Sequence, residues 1–205
     1  MDVSQFDKDC ALMAGVADQE TRPNEVNRFP VPVGYELDRY IEPQKSGFEA
    51  CVFKRTGQNE YVIAFACSKI SNITGDVMAD IDLASGFAST QLLQAAELYM
   101  YYKANSPAGT VITFTGHSLG GGIAALMGVL FNEKAVTFDQ APFKAAANDT
   151  VKLYIKNHLL KLKDDNGQPL YTEAILNSLA PGLLSFTDGD LAARTANVSG
   201  YYVEG

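Results

Sequence analysis

Apolar residues recur along this chain at two spacings, and each predicts a different element. Over residues 4–17, Phe6, Cys10, Ala11, Met13 and Ala14 fall at roughly helical intervals, which predicts an amphipathic N-terminal helix. Pro23, Asn24, Asn27 and Pro30 interrupt that pattern and predict a loop running to Pro32 and Gly34. Two β-like runs follow, residues 48–54 and 60–67, joined across Thr56-Gly57-Gln58-Asn59, which is a hairpin signal. The second run is continuously apolar over residues 61–65, as expected of a strand covered on both faces. Residues 69–85 are polar and read as a loop with a short helical turn. Residues 87–104 carry Leu92, Leu93, Ala96, Leu98, Tyr99 and Tyr102 and predict a helix that stops at Asn105-Ser106-Pro107-Ala108-Gly109.

The chain is organised around residues 110–131, TVITFTGHSLGGGIAALMGVLF. A β-rich apolar run turns at Gly116-His117-Ser118-Leu119-Gly120 and continues as a small-residue, helix-like run. Residues 134–138 predict a short strand closed by Asp139-Gln140-Ala141-Pro142, residues 151–163 and 171–179 predict helices, and residues 197–203 predict a strand that has barely begun when the chain stops. Strands alternating with helices argue for an α/β fold with a mostly parallel sheet, a hairpin at its start and flanking helices. The 205 residues, 47% of them hydrophobic, suit a single domain. The unfinished last strand makes this domain, residues 1–205, the expected N-terminal part of a longer catalytic domain.

Charge narrows the partners. A net charge of -8 and a pI near 4.7 argue against nucleic-acid binding, which needs a basic footprint. They also argue against strong docking on anionic lipid, so membrane-surface contact is expected to be transient and a lipid substrate to be held by apolar contacts. No signal peptide opens the sequence and no apolar run is long enough to span a bilayer, which predicts a soluble protein, cytoplasmic at synthesis, with any export through a dedicated secretion system. Three cysteines, Cys10, Cys51 and Cys67, match no metal spacing and read as buried free thiols in a reducing compartment. Asp188 and Asp190 supply too few ligands for calcium and read as a solvated turn. No metal and no cofactor is expected. The lysine-bearing run 151–163 reads as a helix packed on the core with a basic outer face, the other reading being a membrane-facing lid or partner helix.

The turn at Ser118 has the form that acyl-transfer chemistry requires. A serine hydroxyl is a poor nucleophile unless it is exposed, oriented and deprotonated during attack. A tight strand-to-helix turn puts Ser118 at its tip, and Gly116 and Gly120 remove the side chains that would collide there. Gly121 and Gly122 let the following helix lie close to the strand. The helix N-terminus and the Leu119 N–H then face a developing oxyanion, where one donor lowers a barrier by roughly 3–4 kcal/mol. The competing reading is a glycine-rich structural turn carrying an ordinary surface serine.

Residues 115–121, TGHSLGG, are similar to the nucleophile elbow of the class 3 (fungal-type) lipases, an α/β-hydrolase family. Three further segments agree in order. Residues 61–68 (YVIAFACS) resemble the family's strand ending in F-R-G-T or F-R-G-S, residues 76–86 (DVMADIDLASG) its W-x-x-D-L element, and residues 135–142 (AVTFDQAP) its V-T-F-G-x-P strand. The resemblance spans residues 47–143. The FDQAPF variant is closer to bacterial lipase-like proteins, including effector phospholipases of type VI secretion. Position by position, the resemblance implies Ser118 as nucleophile, Leu119 as first oxyanion donor and Ser68 as second donor through its N–H and hydroxyl. It implies Asp80 as an acidic support of the Ser68 loop and His117 as a residue packed under the elbow, not the base. Ala66-Cys67 departs from the family's Arg-Gly and removes an ion pair. The implied activity is ester hydrolysis on an acylglycerol or phospholipid, with an immunity or inhibitor protein as a further partner.

A base is the missing part. The family order is nucleophile, acid, histidine, and only His117 and His158 exist here. His158 sits in a predicted helix among basic residues, where a surface role competes with that of base. Asp139 ends a strand from which some α/β-hydrolases present the acid, whereas in class 3 lipases the acid follows the next strand. The expectation is therefore that acid and histidine lie beyond Gly205, in the C-terminal remainder of the enzyme or on a second chain. Two rival readings stand beside a lipid esterase: an incomplete, non-catalytic hydrolase domain that binds, and another serine acyl hydrolase, such as a peptidase, on the same fold.

Overall fold

The computed structural model describes residues 3–18, 29–67 and 86–203, the side chains of 86–89 excepted. Among these residues one six-stranded sheet runs in the spatial order β1-β2-β3-β4-β5-β6. Strands β1 (Tyr35–Ile41), β2 (Ala50–Arg55) and β3 (Glu60–Phe65) are antiparallel neighbours. From β3 onward the pairing is parallel, through β4 (Val111–His117), β5 (Lys134–Phe138) and β6 (Val198–Tyr201). Helix α1 (Gln5–Ala17) precedes the sheet, α2 (Gly86–Asn105) lies between β3 and β4, and α3 (Ser118–Phe131) joins β4 to β5. Four helices occupy the last crossover: α4 (Asp149–Leu159), α5 (Glu173–Leu179), α6 (Pro181–Ser185) and α7 (Leu191–Thr195). This is the α/β architecture expected, with the hairpin at Gly57 (φ 73°) in place.

Strand alternation divides the interior unequally. Ile63, Phe65, Ile112 and Phe114 join the larger cluster with α2, α3, α4 and the residues that follow. Val62 and Ala64 face the other way, onto Cys10, Met13, Val16 and Ala17 of α1. The Ser4 hydroxyl caps α1 at the Asp7 N–H, and Tyr201 of β6 donates to Asp7 at 2.8 Å, so α1 is tied to the far strand. Cys10 and Cys51 are buried and unpaired, and burial pushes both thiols up to about 12. Cys67, expected to be buried like them, is half-exposed just past the end of β3, where the chain leaves the sheet.

Three elements depart from the sequence expectation. Strand β1 lacks a buried alternation because it is the sheet's edge and four of its seven residues are exposed. A register irregularity between Leu37 and Arg39 lets Asp38 accept the Tyr102 hydroxyl of α2. Pro181 follows the end of α5 and opens an additional short helix, α6, from its first position, where a missing N–H costs nothing. Helix α4 starts at an Asn148 cap and ends at Leu159, short of residue 163. Its Val151, Ile155 and Leu159 are buried, and Lys152 and Lys156 pair with Asp149 and Glu173 on the outer side, so it is packed on the core. The 188–190 turn caps backbone: Asp188 accepts from the Asp149 N–H and Asp190 from the Thr187 N–H.

Candidate active site

Strand β4 ends at His117 and helix α3 begins at Ser118, with no residue between them. That reversal forces Ser118 into the left-handed region at φ 53°, which costs a residue with a Cβ about 1–2 kcal/mol. The neighbouring glycines have no alternative. A Cβ at Gly116 would come 2.4 Å from the Gly120 carbonyl carbon, and one at Gly120 would come 2.2 Å from the Phe65 oxygen. The ends of β3 and β4 and the first turn of α3 therefore meet backbone to backbone. The Ala141 N–H, from the turn after β5, donates to the Ser118 carbonyl at 2.9 Å. Ser118 itself is only 7% exposed.

Helix α3 is buried at every position except Leu119, which stands half-exposed beside Ser118. No side chain at its N-cap bonds back to its first turn, so the leading amides and the positive end of the helix dipole face the site. At the other end Arg194 of α7 donates to the Leu130 carbonyl at 3.2 Å and the Gly182 carbonyl at 2.6 Å. Burial lowers this guanidinium's pKa, a cost offset by the carbonyls it serves and by the Phe186 ring 5.2 Å away. The helix is thus oriented positive end to the serine and negative end to a cation.

The structure gathers only part of the expected residue set. Gly116, Ser118, Leu119 and Gly120 form the turn from β4 into α3. Ser68 and Asp80 lie outside the described residues. His117 does not pack under the elbow: it is exposed. Strand alternation puts it on the face of Thr113 and Thr115, and α1 covers Thr115 through the Cys10 carbonyl but does not reach the strand's last residue. Asp139 ends β5 beside the elbow, with φ 42°; its N–H donates to the Tyr201 carbonyl and its Oδ1 accepts from the Val203 N–H, both at 2.8 Å. His158 faces α2, its Nε2 2.6 Å from Glu97 Oε1. Among the described residues no hydrogen bond joins either histidine to Ser118. Sequence reasoning missed Ala141 and Arg194, whose contacts to α3 are long-range and leave no local pattern.

A family model described as phospholipase-like, a Tle-like phospholipase domain, matches residues 21–157. An extracellular phospholipase A1 of Serratia liquefaciens is 34% identical over 110 residues, 53% of this chain and 32% of the relative. The match thus spans about a third of the length of that curated relative. Among solved structures, a lipase from Rhizopus microsporus var. chinensis superposes with a TM-score of 0.46 at 15% identity, over 93% of this chain and 87% of that one. Lipase II from Rhizopus niveus gives 0.44 at 15% identity, over 77% and 69%. The strand, elbow and helix around Ser118 fall within the segment that the family model matches, and this chain belongs to the Tle-like phospholipase domain family.

Proposed function

We propose that this domain hydrolyses a carboxylic ester of a lipid through an acyl-enzyme on Ser118. The observation that carries the reading is a non-glycine residue held left-handed at the strand–helix junction, walled by glycines that admit no side chain. Strain of this kind persists where function needs the geometry. As the base removes its proton, Ser118 Oγ attacks the acyl carbon, and the negative charge on the carbonyl oxygen goes to the Leu119 N–H and to Ser68. Collapse expels the alcohol, which takes the proton back from the base. Water then repeats the attack and frees the fatty acid. The family and the likeness to the Serratia phospholipase A1 support a phospholipid substrate.

The base is placed in a further segment of the polypeptide or on a second chain. The engagement of His158 by Glu97 supports this choice. Asp139 serves the backbone of Val203 in this reading, and the triad acid follows β6. Export from the producing cell is part of the same proposal and is supported by the extracellular relative; the proposal also includes an inhibitor protein that restrains the enzyme before export.

The test is covalent labelling with a fluorophosphonate, followed by peptide mapping, on the longest natural form of the protein. Ser118 should carry the label, Ser118→Ala should abolish it, and His158→Ala should leave its rate unchanged. Phospholipid vesicles should be hydrolysed by the same preparation. A protein that turned over peptides but no acyl ester would overturn the lipid reading.

A further inference from the structure

The turn after β5 touches the elbow at two places. The Ala141 N–H holds the Ser118 carbonyl at 2.9 Å. One residue earlier, Gln140 lies against the first turn of α3: a Cβ added at Gly121 would come 3.1 Å from Gln140 Cβ and 3.2 Å from its Cα. The turn is itself fixed from inside. The Thr137 hydroxyl, fully buried at the end of β5, donates to Gln140 Oε1. On the far side, a Cβ at Gly200 of β6 would stand 3.6 Å from the same oxygen. The Gln140 amide oxygen therefore lies between β5 and β6 while its Cα and Cβ lie against α3, three residues along the chain from the hydroxyl that anchors it.

We propose that Gln140 is a positioning residue for Ser118. By accepting the Thr137 hydroxyl it sets the 139–141 turn, and that turn's Ala141 N–H holds the backbone conformation that presents Ser118 Oγ. The role rests on Ser118 being the nucleophile. Without the anchor the turn is free to shift, the Ala141 bond lengthens and Ser118 relaxes toward commoner backbone angles. The hydroxyl then leaves the line of attack while the substrate's apolar contacts stay as they were. Chemistry slows and binding does not.

Two conservative pairs isolate the hydrogen bond from the shape. Gln140→Met keeps length without an acceptor, whereas Gln140→Glu keeps an acceptor oxygen. Thr137→Val removes the donor isosterically, whereas Thr137→Ser keeps it. On the longest natural form of the protein, Gln140→Met and Thr137→Val should slow fluorophosphonate labelling of Ser118 roughly ten-fold. Both should lower kcat on a phospholipid by a similar factor with KM unchanged. Gln140→Glu and Thr137→Ser should label close to the wild-type rate. Equal labelling by Gln140→Met and wild type overturns the role, as does a Gln140→Glu variant that falls as far as Gln140→Met, or a change confined to KM. If Gln140→Met does not fold, the Thr137 pair makes the same comparison. A wild-type protein that leaves Ser118 unlabelled overturns the nucleophile itself, an outcome distinct from a labelled wild type with an unaffected Gln140→Met.

Discussion

Ser118 and Asp139 sit at the ends of adjacent parallel strands, and both are non-glycine residues in the left-handed region, at φ 53° and 42°. Their surroundings differ. Asp139 is of a residue type that visits this region with little penalty, and its carboxylate caps the Val203 N–H close by. Its conformation is explained by what its own side chain does. The Ser118 hydroxyl bonds no described residue, and its conformation is imposed from outside by Ala141, by the glycines at 116 and 120 and by a helix buried along nearly its whole length. A left-handed residue of a type that tolerates the region, with its carboxylate engaged by the chain after β6, needs no further account. One that is held in place from outside, with a hydroxyl that bonds no described residue, fits the nucleophile proposed above.

Three substitutions test that contrast. The largest effect is expected at Gly120→Ala. Its methyl would lie 2.2 Å from the Phe65 oxygen, a backbone atom that cannot turn aside, so the loss of stability in chemical denaturation should be about 3 kcal/mol or more. Ser118→Gly should lose all fluorophosphonate labelling yet gain about 1 kcal/mol in the same denaturation, because glycine adopts φ 53° without strain. A Ser118→Gly protein no more stable than wild type would show that the elbow is not strained. Asp139→Ala should cost about 0.5–1 kcal/mol through loss of the hydrogen bond to the Val203 N–H, which water then serves, and Ser118 labelling should stay within a factor of three. A fall of a thousand-fold or more would instead make Asp139 the acid that assists the base.

The elbow was legible because every part of it is local. An apolar β-run, a glycine-serine turn and a small-residue helix stand consecutively in residues 110–131, and each obeys its own spacing. The hairpin and β5 were legible for the same reason. Strand β1 was not, since four of its seven residues are exposed and the register irregularity between Leu37 and Arg39 breaks the alternation of the residues that do pack, Tyr35, Tyr40 and Ile41. His117 was misplaced because a strand's alternation tells which face a residue joins, not how far the covering helix extends along it. The clamp at Gln140 and Ala141 belongs to tertiary structure altogether: it exists only once β5 has aligned beside β4.

Arg194 sets a timetable for this domain as well as a geometry. The carbonyls at the end of α3 find their cationic partner 64 residues further along the chain. During synthesis β3, β4, α3 and β5 can all emerge and meet while that partner is still inside the ribosome. Until residue 194 is free, the helix that carries Ser118 ends in carbonyls open to solvent, and the nascent domain is held together with its elbow helix unfinished at the C-terminal end. The serine's mount is thus completed near the close of translation of this segment. A ribosome stalled upstream of Arg194 would display β1 to β5 with the C-terminal end of α3 lacking its guanidinium partner.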